Sequence, residues 1–169
     1  MKGDRSQVFT LMVDNEFGVL TRITALIRRA GWNIRSLAVA QTALPEISRL
    51  TICLECRHHS FESVLDKLGR QSCVRDIAVF EADNQIAREL AILRFRGATE
   101  AFREKIVTAF GAILAEEPDS DSCIYTLCCE DGELDGWLPV FVEGGLVDIA
   151  RTGTVALKRR DDEVERGPV

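Results

Sequence analysis

The chain has 169 residues, is 46% apolar and 28% charged, and carries a net charge of −6. That composition is globular, and the length allows one ordinary domain or two small ones. The acidic balance excludes the basic surface that general nucleic-acid or anionic-membrane binding needs. The polar start Met1–Gln7 has no apolar signal-peptide core, and no apolar run approaches the roughly 18–20 residues of a membrane span. A cytoplasmic location is expected.

Val8–Val13 is an apolar run with strand propensity, broken by the turn chemistry of Asp14-Asn15-Glu16-Phe17-Gly18. A helix follows, with Leu20, Ile23, Leu26, Ile27 and Ala30 as its apolar stripe and Gly31 as its stop. Asn33–Thr42 reads as a second strand and Ile47–Cys56 as a third, joined by Ala43-Leu44-Pro45-Glu46. Ser60–Leu68 is a second helix, ended by Gly69, and Val74–Phe80 is a fourth strand. The order is β-α-β-β-α-β, the ferredoxin-like arrangement.

Glu81–Arg88 is polar and reads as a linker, after which the same order returns. Glu89–Arg96 is a strand and Thr99–Phe110 a helix. Ala112–Glu116 and Ser122–Cys129 are strands separated by the polar stretch from Glu117 to Asp121. Leu134–Val142 is a helix that Pro139 should bend or shorten. Leu146–Leu157 supplies the last strand or strands. The fold class is α+β, two ferredoxin-like βαββαβ domains, with domains at 1–80 and 89–158, a linker at 81–88 and a disordered tail at 159–169.

The six cysteines read as thiols of a reducing compartment, buried or half-buried. Cys53 and Cys56 form a CxxC within a strand, where an odd offset puts them on opposite faces and unable to share one zinc ion. Adjacent Cys128 and Cys129 face opposite ways for the same reason. His58 and His59 read as exposed loop residues; a metal-responsive role would need both to converge with a cysteine. No GxSxG, Walker, GxGxxG or HExxH pattern occurs, so no catalytic residue and no metal ligand is expected.

The turn before the first helix is the one place where the residues suggest a ligand. N–H groups at a helix start attract a carboxylate. Gly18 lets a ligand approach the backbone, Asn15 offers a donor and an acceptor, and Val19 and Leu20 could form an apolar wall. A free aliphatic amino acid suits such a place. The same pattern also describes a plain turn and cap.

The segment Asp14-Asn15-Glu16-Phe17-Gly18-Val19-Leu20-Thr21-Arg22 resembles the ACT-domain signature. It continues through Gly31-Trp32-Asn33-Ile34-Arg35-Ser36-Leu37-Ala38-Val39-Ala40, Thr42, Pro45 and Ser48-Arg49-Leu50-Thr51-Ile52. Together with Gly132-Glu133-Leu134-Asp135 and Val147–Gly153, this resembles the small regulatory subunit of acetohydroxyacid synthase, also called acetolactate synthase, over roughly Val8 to Lys158.

The resemblance implies that the first domain is an ACT domain and that the chain has no active site of its own. Thiamine diphosphate, Mg2+ and FAD belong to the family's catalytic large subunit, which the small subunit activates and makes sensitive to feedback inhibition, usually by valine. It implies a homodimer through the ACT domains, with a branched-chain amino acid bound between them. One wall, carried over, is Asn15, Gly18, Val19 and Leu20; the other is Asn33 and Ile34 of the partner subunit. Gln41–Arg49 is the implied contact with the catalytic subunit. Position 35 is usually acidic in the family and is Arg35 here, and Phe17 is bulkier than the small residue often found there. A stand-alone ACT-type amino-acid sensor acting on another enzyme or on transcription is the alternative reading.

Overall fold

The computed structural model describes residues 6–55, 61–80, 84–119 and 121–159. His58, His59, Cys56 and the tail beyond residue 159 therefore lie outside the described residues. The chain divides into two compact units, one of residues 87–155 and the other of the residues up to Ile86 together with those from Ala156 on, so the first boundary falls within the stretch read as a linker.

In the first unit the elements are β1 (Ser6–Asp14), α1 (Val19–Arg29), β2 (Asn33–Gln41), β3 (Ile47–Glu55), α2 (Phe61–Gly69) and β4 (Val74–Val79). They form an antiparallel sheet in the order β2-β3-β1-β4, with β2 and β4 at its edges. Alternation puts Phe9, Leu11 and Val13 of β1 beside Leu50, Ile52 and Leu54 of β3 on the core face. The helices cover that face.

The stripe of α1 is turned slightly from the expected one. Val19, Ile23 and Ile27 are buried at a spacing of four, with Leu26 and Ala30 packed beside them, and Leu20 is exposed. The stop at Gly31 is a Schellman motif. Gly31 has φ 77°, its N–H donates to Arg28 O, and Trp32 N–H donates to Ile27 O. Trp32 is thereby placed in the core.

The second set of elements is β5 (Gln85–Arg96), α3 (Glu100–Phe110), β6 (Ile113–Asp119), β7 (Ser122–Glu130), α4 (Glu133–Glu143), β8 (Leu146–Arg151) and β9 (Val155–Lys158). The sheet order is β6-β7-β5-β8, with β9 also pairing to β5. Its core is aromatic at the centre: Phe141 lies edge-on to both Phe95 and Phe110, at 6.0 and 5.2 Å between ring centroids.

Three expectations need correction. β5 starts at Gln85, not Glu89, because the burial alternation of Ala87, Glu89, Ala91, Leu93 and Phe95 extends the pleat backwards into the supposed linker. β6 runs on through Pro118 to Asp119; it is an edge strand, where a missing N–H can face away from the ladder. Pro139 does not shorten α4, which continues to Glu143. The vicinal cysteines do face opposite ways: Cys129 is buried and Cys128 exposed, so Cys128 departs from the buried pattern. Cys53, Cys73 and Cys123 are also buried.

Candidate functional site: the turn before the first helix

The turn between β1 and α1 is tied by three hydrogen bonds to two other parts of the first unit, Cys73 and the Pro45–Glu46 stretch. Asp14 N–H donates to Cys73 O at 2.9 Å, and Asn15 N–H donates to Glu46 O at 2.8 Å. The Asn15 side chain adds a third tie, Nδ2 donating to Pro45 O at 2.9 Å. A carbonyl can only accept, so this bond fixes which way the Asn15 amide faces and leaves Oδ1 to other partners. The start of the turn, Asp14–Asn15, is thus held by backbone carbonyls, while its tip, Glu16–Gly18, is exposed.

Gly18 is the N-cap of α1, with φ 82° and ψ −6° in the left-handed region that favours glycine. It offers no side-chain cap, so the first-turn N–H groups are not taken up by a capping hydroxyl or carboxylate. The space where a Cβ would stand is open, with nothing within 4 Å. Phe17 projects fully into solvent and Leu20 is exposed. An uncapped helix start with no acidic residue in its first turn favours a negatively charged group there.

The candidate residues do not all gather at this place. Asn15, Gly18 and Leu20 share the exposed turn. Val19 turns inward and is 5% exposed, packed in the core between the sheet and the helices, so its side chain is not a surface wall within one chain. The helical phase explains this: Val19 sits one turn before Ile23 on the buried stripe. Asn33 and Ile34 are elsewhere. Asn33 opens β2 opposite Glu55, and Glu55 in turn faces Ser6, at the far end of β1 from Asp14. That is roughly 27 Å along the sheet, at about 3.4 Å per residue. Asn33 Nδ2 donates to Glu55 Oε2 at 2.9 Å, and Ile34 packs against the core. Arg35, the departure in charge, falls where the register of β2 slips between Ile34 and Ser36, at the extra residue of a β-bulge.

The second-unit motifs meet around one arginine. Arg151 donates from Nε and a terminal nitrogen to the two oxygens of Glu89, at 2.9 and 2.6 Å, and from its other terminal nitrogen to Asp135 at 2.7 Å. Glu89 is 4% exposed. Hydrogen bonding to Glu89, and then to Asp135, holds the Arg151 guanidinium well above the ordinary arginine value. Thr154 Oγ1 and Asp131 Oδ1 pair at 2.7 Å beside them. This arrangement ties the start of α4 to β5 and β8 and offers no open ligand-binding geometry.

Sequence reasoning missed Pro45, Gln41 and Arg75 as supports of the turn. The Pro45 contribution is a backbone carbonyl, which no residue type announces. Among the described residues no helix is long and apolar enough to cross a membrane, and no three His, Cys, Asp or Glu side chains converge as metal ligands would.

Residues 9–75 match the model of the AHAS small subunit-like ACT domain, AHAS being acetohydroxyacid synthase. The chain is 30% identical to the acetolactate synthase small subunit of Mycolicibacterium smegmatis, covering 93% of each chain. It is also 30% identical to that of Mycobacterium leprae, over 94% of this chain and 95% of the relative. The fold matches the crystal structure of the acetolactate synthase small subunit from Thermotoga maritima with a TM-score of 0.83, at 22% identity, over 93% of this chain and 99% of that one. By these relationships, the chain belongs to the family of acetolactate synthase small subunits.

Proposed function

We propose that this chain is the regulatory subunit of an acetolactate synthase in branched-chain amino-acid biosynthesis. It activates the catalytic large subunit and confers feedback inhibition by valine or a related amino acid. The chemistry, with thiamine diphosphate, Mg2+ and FAD, resides in the large subunit. The first domain, 1–80, carries effector binding and activation, and the domain at 89–158 is regulatory.

The observation that carries this reading is the exposed, uncapped helix start at Gly18 with no Cβ in the way. The amino acid's carboxylate meets the first-turn N–H groups of α1, and the Asn15 amide provides a polar contact beside it. Leu20 supplies apolar surface from this side. Val19 acts through the backbone and the packing beneath the turn, since its side chain is buried. Asn33 and Ile34 lie too far along the sheet to close the same pocket in one chain. They serve as the second wall only when another copy presents them, which makes the pocket a property of the homodimer. The edge position of β2 is compatible with such side-by-side pairing, because its outer backbone groups have no neighbouring strand among the described residues.

Calorimetric titration of the purified chain with valine, leucine and isoleucine tests the reading. Saturable binding of at least one, lost in Asn15→Ala, is the expected result. Binding of none, or undiminished binding in that variant, contradicts the placement of the site.

A further inference from the structure

Two side-chain amides converge on a single backbone oxygen. Asn15 Nδ2 reaches Pro45 O at 2.9 Å from the turn, and Gln41 Nε2 reaches the same oxygen at 2.7 Å from the end of β2. A carbonyl has two lone pairs, so these donors saturate it. Pro45 lies in the β2–β3 loop, residues 42–46, which is itself closed by Thr42 N–H to Ile47 O at 2.9 Å and Ile47 N–H to Leu44 O at 3.0 Å. Thr42 Oγ1 also accepts from Leu44 N–H at 3.1 Å. The next carbonyl, Glu46 O, takes the Asn15 N–H. The turn and the hairpin loop are therefore a single hydrogen-bonded body joined at Pro45 and Glu46.

We propose that the Pro45 carbonyl is a latch through which an amino acid bound at the Asp14–Gly18 turn and the conformation of the 42–46 loop control each other. The proposal rests on the effector reading given above and adds the route of regulation. A ligand that engages the Asn15 amide must keep, share or break the bond to Pro45. Sharing or breaking it loosens one of the two donors that hold the Pro45 carbonyl, and so changes the loop. Gln41 is a positioning residue: it touches no ligand but holds the acceptor that orients Asn15. Coupling of this kind is reciprocal, so a partner that grips the exposed loop changes affinity at the turn.

Two measurements on the full chain test this. One is hydrogen exchange of the peptide spanning residues 42–49, with and without saturating valine. The other is calorimetric titration of Gln41→Leu. Gln41 is exposed, so its replacement leaves the fold intact. The expected results are a change in loop exchange of about threefold or more on valine binding, and valine affinity in Gln41→Leu weaker by about 2- to 10-fold, the effect of losing one such hydrogen bond. Valine binding to the native chain with unchanged loop exchange, or with native affinity in Gln41→Leu, overturns the latch and leaves the effector site standing. Failure of the native chain to bind valine, leucine or isoleucine overturns both.

Discussion

Arg75 donates from Nε to Asp14 Oδ1 at 2.6 Å, and it reaches that oxygen because it is the extra residue of a β-bulge. Met12 faces Asp76 and Val13 faces Val74, so Arg75 has no opposite number on β1. A bulge re-aims a side chain. Here it sends a guanidinium from the edge strand β4 to the residue that opens the candidate effector turn.

The ion pair should matter more for the turn than for global stability. Arg75 is 62% exposed, and exposed pairs contribute about 0.2–1 kcal/mol. Arg75→Ala should therefore shift the urea midpoint only slightly, yet weaken valine binding by calorimetry about 2- to 5-fold through loss of one anchor. A large loss of stability with unaltered binding would show that the bulge supports the sheet instead.

Gly18→Asp should fold and lose its effector. The new Cβ meets open space, so the cost is that of a left-handed non-glycine residue, about 1–2 kcal/mol. The added carboxylate stands against the ligand's own. Gly18→Ala separates the two effects, with a similar fall in the urea midpoint but weakened rather than abolished valine binding. Thermal unfolding and titration of both variants check this.

Much of this fold was legible in the sequence because apolar periodicity and glycine stops report directly on burial and chain reversal. The α1 stripe and the Gly31 Schellman motif are of that kind. The α1 phase was misjudged by one residue because Val19 and Leu20 are both apolar, and only packing decides which turns inward. The start of β5 was hidden because Gln85 and Arg88 are polar and only Ala87 is buried there, ahead of Glu89, whose burial depends on Arg151, 62 residues away in sequence. In the candidate site Asn15 and Gly18 could be read from their chemistry. Pro45 could not, since its contribution is a main-chain oxygen placed by a hairpin.

Breaking the Glu89–Arg151 pair from one side should be costly. Arg151→Ala leaves a carboxylate that is 4% exposed without its main cation. The expected loss is about 2–4 kcal/mol, below the figure for a fully buried pair because Arg151 is itself 31% exposed. Replacing both residues with apolar ones, Glu89→Leu with Arg151→Met, should recover most of it. Urea unfolding of the single and double variants measures the difference. The raised pKa of Arg151 keeps it charged over the usable range, so its contribution should not fade at alkaline pH.

Alkaline pH should instead act through buried acids of the second unit. Burial, the largest cause in each case, pushes up the thiols of Cys123 and Cys129 and the phenol of Tyr125. The unfolded chain then loses these protons first, and stability falls as pH rises through the ordinary thiol value of 9.0. Below that value these groups contribute no pH dependence. Urea midpoints at several pH values under reducing conditions should decline above about pH 9, less steeply in Cys129→Ala. In the native state exposed Cys128 should react quickly with a thiol reagent, and Cys128→Ser should lose one fast equivalent.

The most direct measurement is acetolactate formation by the catalytic large subunit alone, with this chain, and with this chain plus valine. The predicted result is a rise in activity on adding the chain, suppressed by valine, with Gly18→Asp still activating but no longer conferring suppression. Activity unchanged by the native chain, or normal valine suppression through Gly18→Asp, would contradict it.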